Sequence, residues 1–524
     1  MFGINKSNSL TTSSRTATYR TGKFIVHLSM FYISILLMLG YSFGSGDMVE
    51  ALSLITYQIN PDLFSSDLYI QSMTSELFNE RYLYILTLGL FQNHIETWAI
   101  VFHAISSLVL FSGLYKIASL FLPSRFFRWI SLYIMVVLLN QINIGGNELY
   151  YNFIVPSLPA KAAGAWSLYF FLREKYTRSA LFIAISVIFQ PLVAAQLLLL
   201  HLITLLVNLI SGKMTWKKQN NWSFMFIIPV IGYLALLSQY HQAVDLSSSD
   251  YFNIIRLRMA HHFFPAHFGL VNYIIYAILT ISALYYFYRQ NRTLFWWILA
   301  IIDGCLIYII LIHLEIELAL MTQWFKSTIW LEYLGVLSLV AMINERLMMR
   351  INMAYFFSGL LILLSLIIYM KWPPLDNKPY EFADSWMDTY EVEIAEAAGD
   401  LTTEDAVFII PATNSTFRHV SKRSVFVDFK SISHNKAYLA EWAYRVNLVY
   451  GLDHHADRQV GFNSIPYAAQ HYANLDAQDL VQLKKDFGVT HILTYIDHVL
   501  PFKTVARTAK YAIYEIKPTD EDFD

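Results

Sequence analysis

The sequence predicts a polytopic α-helical membrane protein of about eleven spans that carries a C-terminal soluble α/β domain. Three observations predict it. Apolar runs of membrane-crossing length recur throughout residues 1–373. Only 15% of the residues are charged, against about 25% in soluble domains, and 56% are hydrophobic. The charge is also divided: residues 374–524 hold 23 acidic and 14 basic side chains, and residues 1–373 hold 16 and 23. A basic membrane domain, 1–373, therefore precedes an acidic soluble domain, 374–524. Aromatic residues make up 16%, which suits the belts at the two bilayer interfaces. Nothing in the charge pattern offers the basic face that nucleic acid requires. The single cysteine, Cys305, excludes an internal disulfide.

The expected spans are 22–43, 96–119, 126–143, 156–173, 178–190, 191–211, 222–241, 269–289, 293–313, 328–345 and 351–371. The run 178–211, divided by Pro191, fits either two tilted spans or one kinked helix with a re-entrant turn. Met1–Arg20 is polar, and no small-residue cleavage site follows the first apolar run, so that helix is expected to remain as a span. Alternate linkers carry seventeen Lys and Arg, from Lys6 to Arg350. The opposite linkers carry five: Arg81, Lys161, Arg256, Arg258 and Lys326. The positive-inside rule then puts the N-terminus in the cytoplasm and, with an odd number of spans, the C-terminal domain outside the membrane.

The cation-poor face holds the chemistry. Ile25–Phe43 has no Lys, Arg, Asp or Glu, and Gly44, Ser45 and Gly46 end its helix. Asp47 and Glu50 follow at once, one turn apart if the chain is helical from Met48. A carboxylate at that depth can serve as a general base or hold a cation; an aspartate there is also a good N-cap. The rest of the long loop 44–95 places Asp62, Asp67, Glu76 and Glu80 among Leu63, Ile70, Met73 and Leu77, the pattern of short amphipathic helices on the membrane surface. The loop 143–157, with Asn147 and Glu148, has the composition of a sugar-binding rim, though such residues also cap helices. The loop 242–268 supplies Arg256, Arg258, His261, His262 and His267, and the loop 314–327 ends near Lys326. Cations beside apolar helices suit a lipid-carrier phosphate, so Arg256, Arg258, Lys326 and Lys161 are the candidate ligands. Snorkelling to lipid headgroups is the other use of such side chains. His261 and His262 are candidate substrate contacts. A divalent metal at the pair is the alternative, but adjacent histidines on a helix point apart, so no metal or other cofactor is indicated. Asp303 lies deepest within a span, where a hydrogen bond to a neighbouring helix is its expected use and a transporter relay the alternative. His103 and His201 are expected to be packed.

In the C-terminal domain, Ala383–Gly399, Ala437–Tyr450 and Leu475–Phe487 have helical patterns, the last two stopped by Gly451 and Gly488. Ala406–Ile410, Val425–Phe429, Val489–Tyr495 and Tyr511–Ile516 read as strands. No phosphate-binding glycine loop or nucleophile elbow occurs in it. Asn414-Ser-Thr fits the glycosylation sequon.

The order of several short motifs resembles the GT-C membrane glycosyltransferases, and more narrowly a bacterial group of GT-C-like proteins. They are GSGDMVEALSLI with INPDLFSSDLYI, then VPSLPAKAAGAWSLYFFL, FQPLVAAQLLLL and RLRMAHHFFPAHF, and in the outer domain DAVFIIP, FRHVSKRSVFVDFK and EWAYRV. The resemblance covers most of the chain. It implies transfer of a sugar from a polyprenyl-phosphate donor to a glycan, lipid or protein acceptor on the outer face. In that reading Asp47 is the base, supported by Glu50, and Arg256, Arg258 or Lys326 hold the donor phosphate. The chain departs from the group at Gln190-Pro191, where relatives often have His-Pro, and at Lys326, where they often have Arg. A transporter or flippase for a lipid-linked glycan, and a non-catalytic scaffold of envelope assembly, are the alternative functions.

Overall fold

The computed structural model describes residues 7–44, 46–75, 79–212, 246–347, 389–456 and 460–517, with scattered positions between 228 and 235; side chains are described from residue 21 onward. Among the described residues, six helices are long and apolar enough to cross a membrane: Thr21–Leu39, Gln92–Ala118, Pro191–Ile210, Leu270–Gln290, Arg292–His313 and Leu318–Arg346. Their outer faces carry exposed apolar stripes at helical spacing, such as Ile274, Ile278 and Ile281, or Leu306, Ile307 and Ile310. Stripes of this kind are stable against lipid and not against water, so the protein is a multi-pass membrane protein. The expected spans 126–143, 156–173 and 178–190 correspond to shorter helices: Arg125–Tyr133 running into a π-turn at Ile134–Leu138, then Ser157–Leu172 and Tyr176–Phe189. The span expected at 351–371 lies outside the described residues, as do most of 222–241 and the expected boundary at 373/374.

The run 178–211 is a helical hairpin. Gln190 is extended at φ −149°, ψ 103°, and Pro191 opens the second helix, whose first turn needs no amide donor there. Ser179 and His201, on opposite arms, both reach the hydroxyl of Ser167, at 2.9 and 3.3 Å. His201 and His103 are fully buried, as packing residues should be. Close helix contacts use small residues. Gly113 lies against Ala165 and Trp166, and Gly335 against Leu279, where a β-carbon would stand within 3 Å of its neighbour.

The linkers gather at two ends. Leu120, Phe121, Pro123, Leu172–Arg173, Gln290–Asn291 and Asn344–Glu345 line one cavity of about 430 Å³. At the other end, the turns at 145–148 and Trp324–Ser327 meet helix Ser248–Phe263, and that helix and the chain after the first span meet the C-terminal domain.

That domain holds a five-stranded mixed sheet: β1 (Val407–Ile409), β2 (Ser424–Val425), β3 (His491–Tyr495), β4 (Lys503–Arg507) and β5 (Tyr511–Glu515), in the order β2-β1-β3-β5-β4. β1 pairs in parallel with β2 and β3, and β5 antiparallel with β3 and β4. Helices Lys436–Tyr450 and Ala477–Phe487 end where Gly451 and Gly488 adopt positive φ. The expected strand Val425–Phe429 is a correction: only Ser424–Val425 pairs, and the chain then leaves the sheet towards the membrane domain. Asn414 is 1% exposed, so its sequon is closed to modification.

The loop 44–95 does not lie flat on lipid. Helix Met48–Ile59 is buried over its first eight residues and packs under Phe417–Ser421, while Leu68–Ser75 packs on Lys436–Tyr450. A buried charge cluster fixes this docking. Asp67 accepts hydrogen bonds from the Arg418 Nε at 2.7 Å and from the Val425 amide at 2.9 Å. Arg418 also pairs with Asp428 at 2.5 Å, and Asp428 accepts from the Ser431 amide. The two carboxylates hold the Arg418 charge against its burial and keep the guanidinium more basic than usual.

Candidate active site

Asp47 occupies the N-cap position of helix Met48–Ile59 but caps nothing. Its own backbone is helical, φ −73° and ψ −4°, which turns the carboxylate away from the first-turn amides. The side chain is 63% exposed. Lys430, from the C-terminal domain, brings its ammonium to 4.0 Å from the carboxylate and donates to the carbonyl of Gly46. The Asp47 charge also reaches Arg258, Lys326, Arg81, Glu148 and His261. An open carboxylate thus lies 4.0 Å from Lys430 and within electrostatic range of Arg258, Lys326 and Arg81.

Arg258 lies on helix Ser248–Phe263, which kinks at Met259. Its guanidinium donates through Nε and Nη2 to the Lys430 carbonyl, at 3.3 and 2.7 Å, and covers the Phe429 ring at 5.4 Å. Burial lowers its basicity, and Glu50 and Asp47 oppose that, so the charge is retained. Lys326 sits in the turn Trp324–Ser327, held from behind by Asn147, which donates to its carbonyl at 2.7 Å. Gly145 and Gly146, at φ +83° and +58°, carry the chain between that turn and His262, and a side chain on either would collide with Phe325 or the His262 ring.

His261 and His262 do not point apart. Their ring centroids are 4.0 Å from each other, beyond the Met259 kink and at the end of the helix. His261 also packs on Phe462, at 4.6 Å. The Nδ1 atoms of both are buried without a hydrogen-bond partner among the described residues. Burial, followed by the cations Arg258 and Lys326, lowers His261 to about 4; burial and Lys326 depress His262 further. Two neutral imidazoles beside fixed cations suit a polar or anionic ligand better than a metal ion.

Several expected site residues are placed otherwise. Arg256 is two residues from Arg258 and therefore on the far side of the helix; its guanidinium bonds Asn253 at 3.3 Å and covers Phe264, so it does not join the phosphate candidates. Lys161 is fully buried, donates to the Glu148 carbonyl and covers the Tyr151 ring at 4.7 Å, so it braces the rim from inside. Glu50 is a buried partner of Arg81, with the Tyr69 hydroxyl at 3.5 Å, and is not open as a second base. Asn147 is 7% exposed and spent on the Lys326 turn. Glu148 stays at the rim, its carboxyl raised to about 7 by burial, with Lys161 lowering it and Asp47 raising it. Asp303 is exposed and makes no hydrogen bond to a neighbouring helix among the described residues; the buried acid within a span is Glu332, held by the Tyr276 hydroxyl at 2.6 Å. Sequence reasoning missed Lys430, although it closes the motif FRHVSKRSVFVDFK, because nothing local distinguishes it from a solvated surface lysine.

The chain matches the model of a domain of unknown function, DUF6798, over residues 390–449. No curated protein matches it. Among solved structures it is similar to ArnT from Cupriavidus metallidurans in the apo state, at 11% identity and a TM-score of 0.41, over 96% of this chain and 98% of that one. It is similar also to the same protein bound to undecaprenyl phosphate, at 12% identity and a TM-score of 0.38, over 95% and 99%.

Proposed function

We propose that the protein is an inverting membrane glycosyltransferase of GT-C type that draws its sugar from a polyprenyl-phosphate donor at the outer face of the bacterial cytoplasmic membrane. The observation that carries this reading is the Asp47 carboxylate, open and uncapped, beside Lys430 of the C-terminal domain and within electrostatic range of Arg258 and Lys326. A carboxylate that bonds no helix amide is free to take a proton. Cations at its side stabilise the charge that appears on a departing phosphate.

In the proposed reaction, an acceptor hydroxyl of a glycan, lipid or protein loses its proton to Asp47 and attacks the anomeric carbon. The new bond forms as the bond to the phosphate oxygen breaks, and the electron pair leaves with the lipid phosphate. Arg258 and Lys326 hold that phosphate, and Lys430 adds a third charge at the rim. His261, His262 and Glu148 face the bound sugar or acceptor. The motif order over most of the chain, which resembles that of GT-C glycosyltransferases, supports the reading.

The test is transfer of labelled sugar from a panel of synthetic polyprenyl-phosphate sugars by the full-length protein in vesicles, with native envelope extract as acceptor. Release of polyprenyl phosphate that depends on Asp47 supports the reading. No release from any donor, with the protein folded, removes it.

A further inference from the structure

We propose that Asp250, His454 and His455 form a transition-metal site, of the class that binds Zn²⁺, which ties helix Ser248–Phe263 to the C-terminal domain. The three side chains each present one ligand atom, and these atoms lie within 4.8 Å of one another. The Asp250 Oδ1 is 3.7 Å from the His455 Nε2 and 3.9 Å from the His454 Nε2. Both separations are too long for hydrogen bonds. They are the distances expected between ligands of one ion, since atoms about 2.1 Å from a shared metal stand roughly 3–4 Å apart.

Adjacent histidines can share an ion here because they lie in a turn. The His455 amide donates to the Asp453 side chain at 2.9 Å and the Ala456 amide to the Asp453 carbonyl at 3.1 Å, and this turn puts both rings on one side, 4.0 Å apart. The second Asp250 oxygen accepts from the Ser247 hydroxyl at 2.7 Å, which fixes the carboxylate as outer partners fix metal ligands. Two imidazoles and one carboxylate are a donor set that first-row metals accept, with positions left for water.

The consequence is mechanical. Asp250 and Arg258 lie on the same helix, and the turn that bears His454 belongs to the domain that supplies Lys430. A metal at Asp250 holds the two parts together at a distance from Asp47, and the inference stands whether or not the protein transfers sugars.

The test uses the full-length protein in detergent, stripped with a chelator and titrated with Co²⁺ alone and then with competing Zn²⁺. One Co²⁺ per chain, seen by its visible ligand-field absorption, is expected, with a Zn²⁺-dependent rise in the thermal midpoint. Asp250→Asn and the double variant His454→Ala/His455→Ala should bind at least ~100-fold more weakly, with the metal-free midpoint unchanged. The double variant His261→Ala/His262→Ala should bind as the wild type does, which separates this site from the other histidine pair. Binding that is weak in the wild type, or equal in Asp250→Asn and the wild type, overturns the proposal. Should Asp250→Asn not fold, the histidine variant decides alone.

Discussion

The Lys430 ammonium stands 4.0 Å from the Asp47 carboxylate, although 383 positions of sequence separate the two residues. One follows the first membrane span and the other leaves the edge of a soluble sheet. The pair exists because Asp67, Arg418 and Asp428 clamp the domain onto the loop after that span. The C-terminal domain therefore completes the candidate site and is not an appendage to it.

Asp47→Asn keeps the size of the side chain and removes the base. Turnover should fall by ~10²–10⁴, measured as release of polyprenyl phosphate. The thermal midpoint should hardly change, because the carboxylate caps no helix amide. Near-normal turnover would exclude Asp47 as the base.

Arg258 and Arg256 give opposite expectations from one helix. Arg258→Ala removes a charge that shares the Lys430 carbonyl and faces Asp47, so donor affinity should drop roughly 10–100-fold. Arg256→Ala should bind donor normally, since its guanidinium rests on Phe264. Binding of a synthetic polyprenyl-phosphate sugar to the two purified variants checks this, and equal losses would refute the division.

Lys430→Ala should weaken donor or acceptor use by about tenfold and leave the fold intact, and Lys430→Arg should recover part of it because the charge persists. The KM values for both substrates report which one Lys430 serves. An unchanged kinetic profile would make the lysine a simple tether to Gly46.

Asp67→Ala removes one of the two carboxylates that hold the buried Arg418 charge, and breaking such a buried pair costs about 3–5 kcal/mol. The thermal midpoint should fall well below that of the wild type. Asp428→Ala should fall similarly, and the double variant by less than the sum, since both carboxylates hold one arginine. Additive losses would mean that the cluster does not act as a unit.

Much of this was legible in the sequence for physical reasons. Hydropathy marks spans because lipid tolerates no unpaired backbone; Gly451 and Gly488 mark helix ends because glycine adopts positive φ without steric cost, and Pro191 marks a helix start because it has no amide to donate. Asp47, Arg258 and Lys326 stood out as rare charges at the ends of apolar runs. What was hidden is long-range pairing. Asp67 meets Arg418 across 351 positions, and neither carries a local sign of it. β4 was missed because, at the sheet edge with no buried position, it lacks an apolar pattern. Arg256 was grouped with Arg258 because sequence spacing alone does not say which side of a helix the pocket occupies. Asn147 read as a sugar contact because its composition signal is the same whether the amide meets a ligand or the Lys326 carbonyl.

Glu148 gives a pH signature. Burial raises its carboxyl from an ordinary value to about 7, against the attraction of Lys161. The folded protein thus favours the protonated form more than the unfolded chain does, so this contribution to stability is complete at pH below the ordinary glutamate range and is lost as pH rises through 7. His261 acts in the other direction: lowered to about 4, it stabilises the fold above the ordinary histidine range and less as pH falls towards 4. Between about pH 4.5 and pH 6.5 the two trends therefore oppose each other, and the signature lies in the difference between proteins. Glu148→Gln mimics the protonated acid at every pH, so its thermal midpoint should gain on that of the wild type as pH rises towards 7 and keep that gain above it. Wild-type activity should fall over the same range, because an ionised Glu148 places a second negative charge beside Asp47 and the donor phosphate. Thermal midpoints of the two proteins from pH 5 to pH 8.5 test it, and a difference that stays constant from pH 5 to pH 7 would show that Glu148 titrates as an ordinary surface acid.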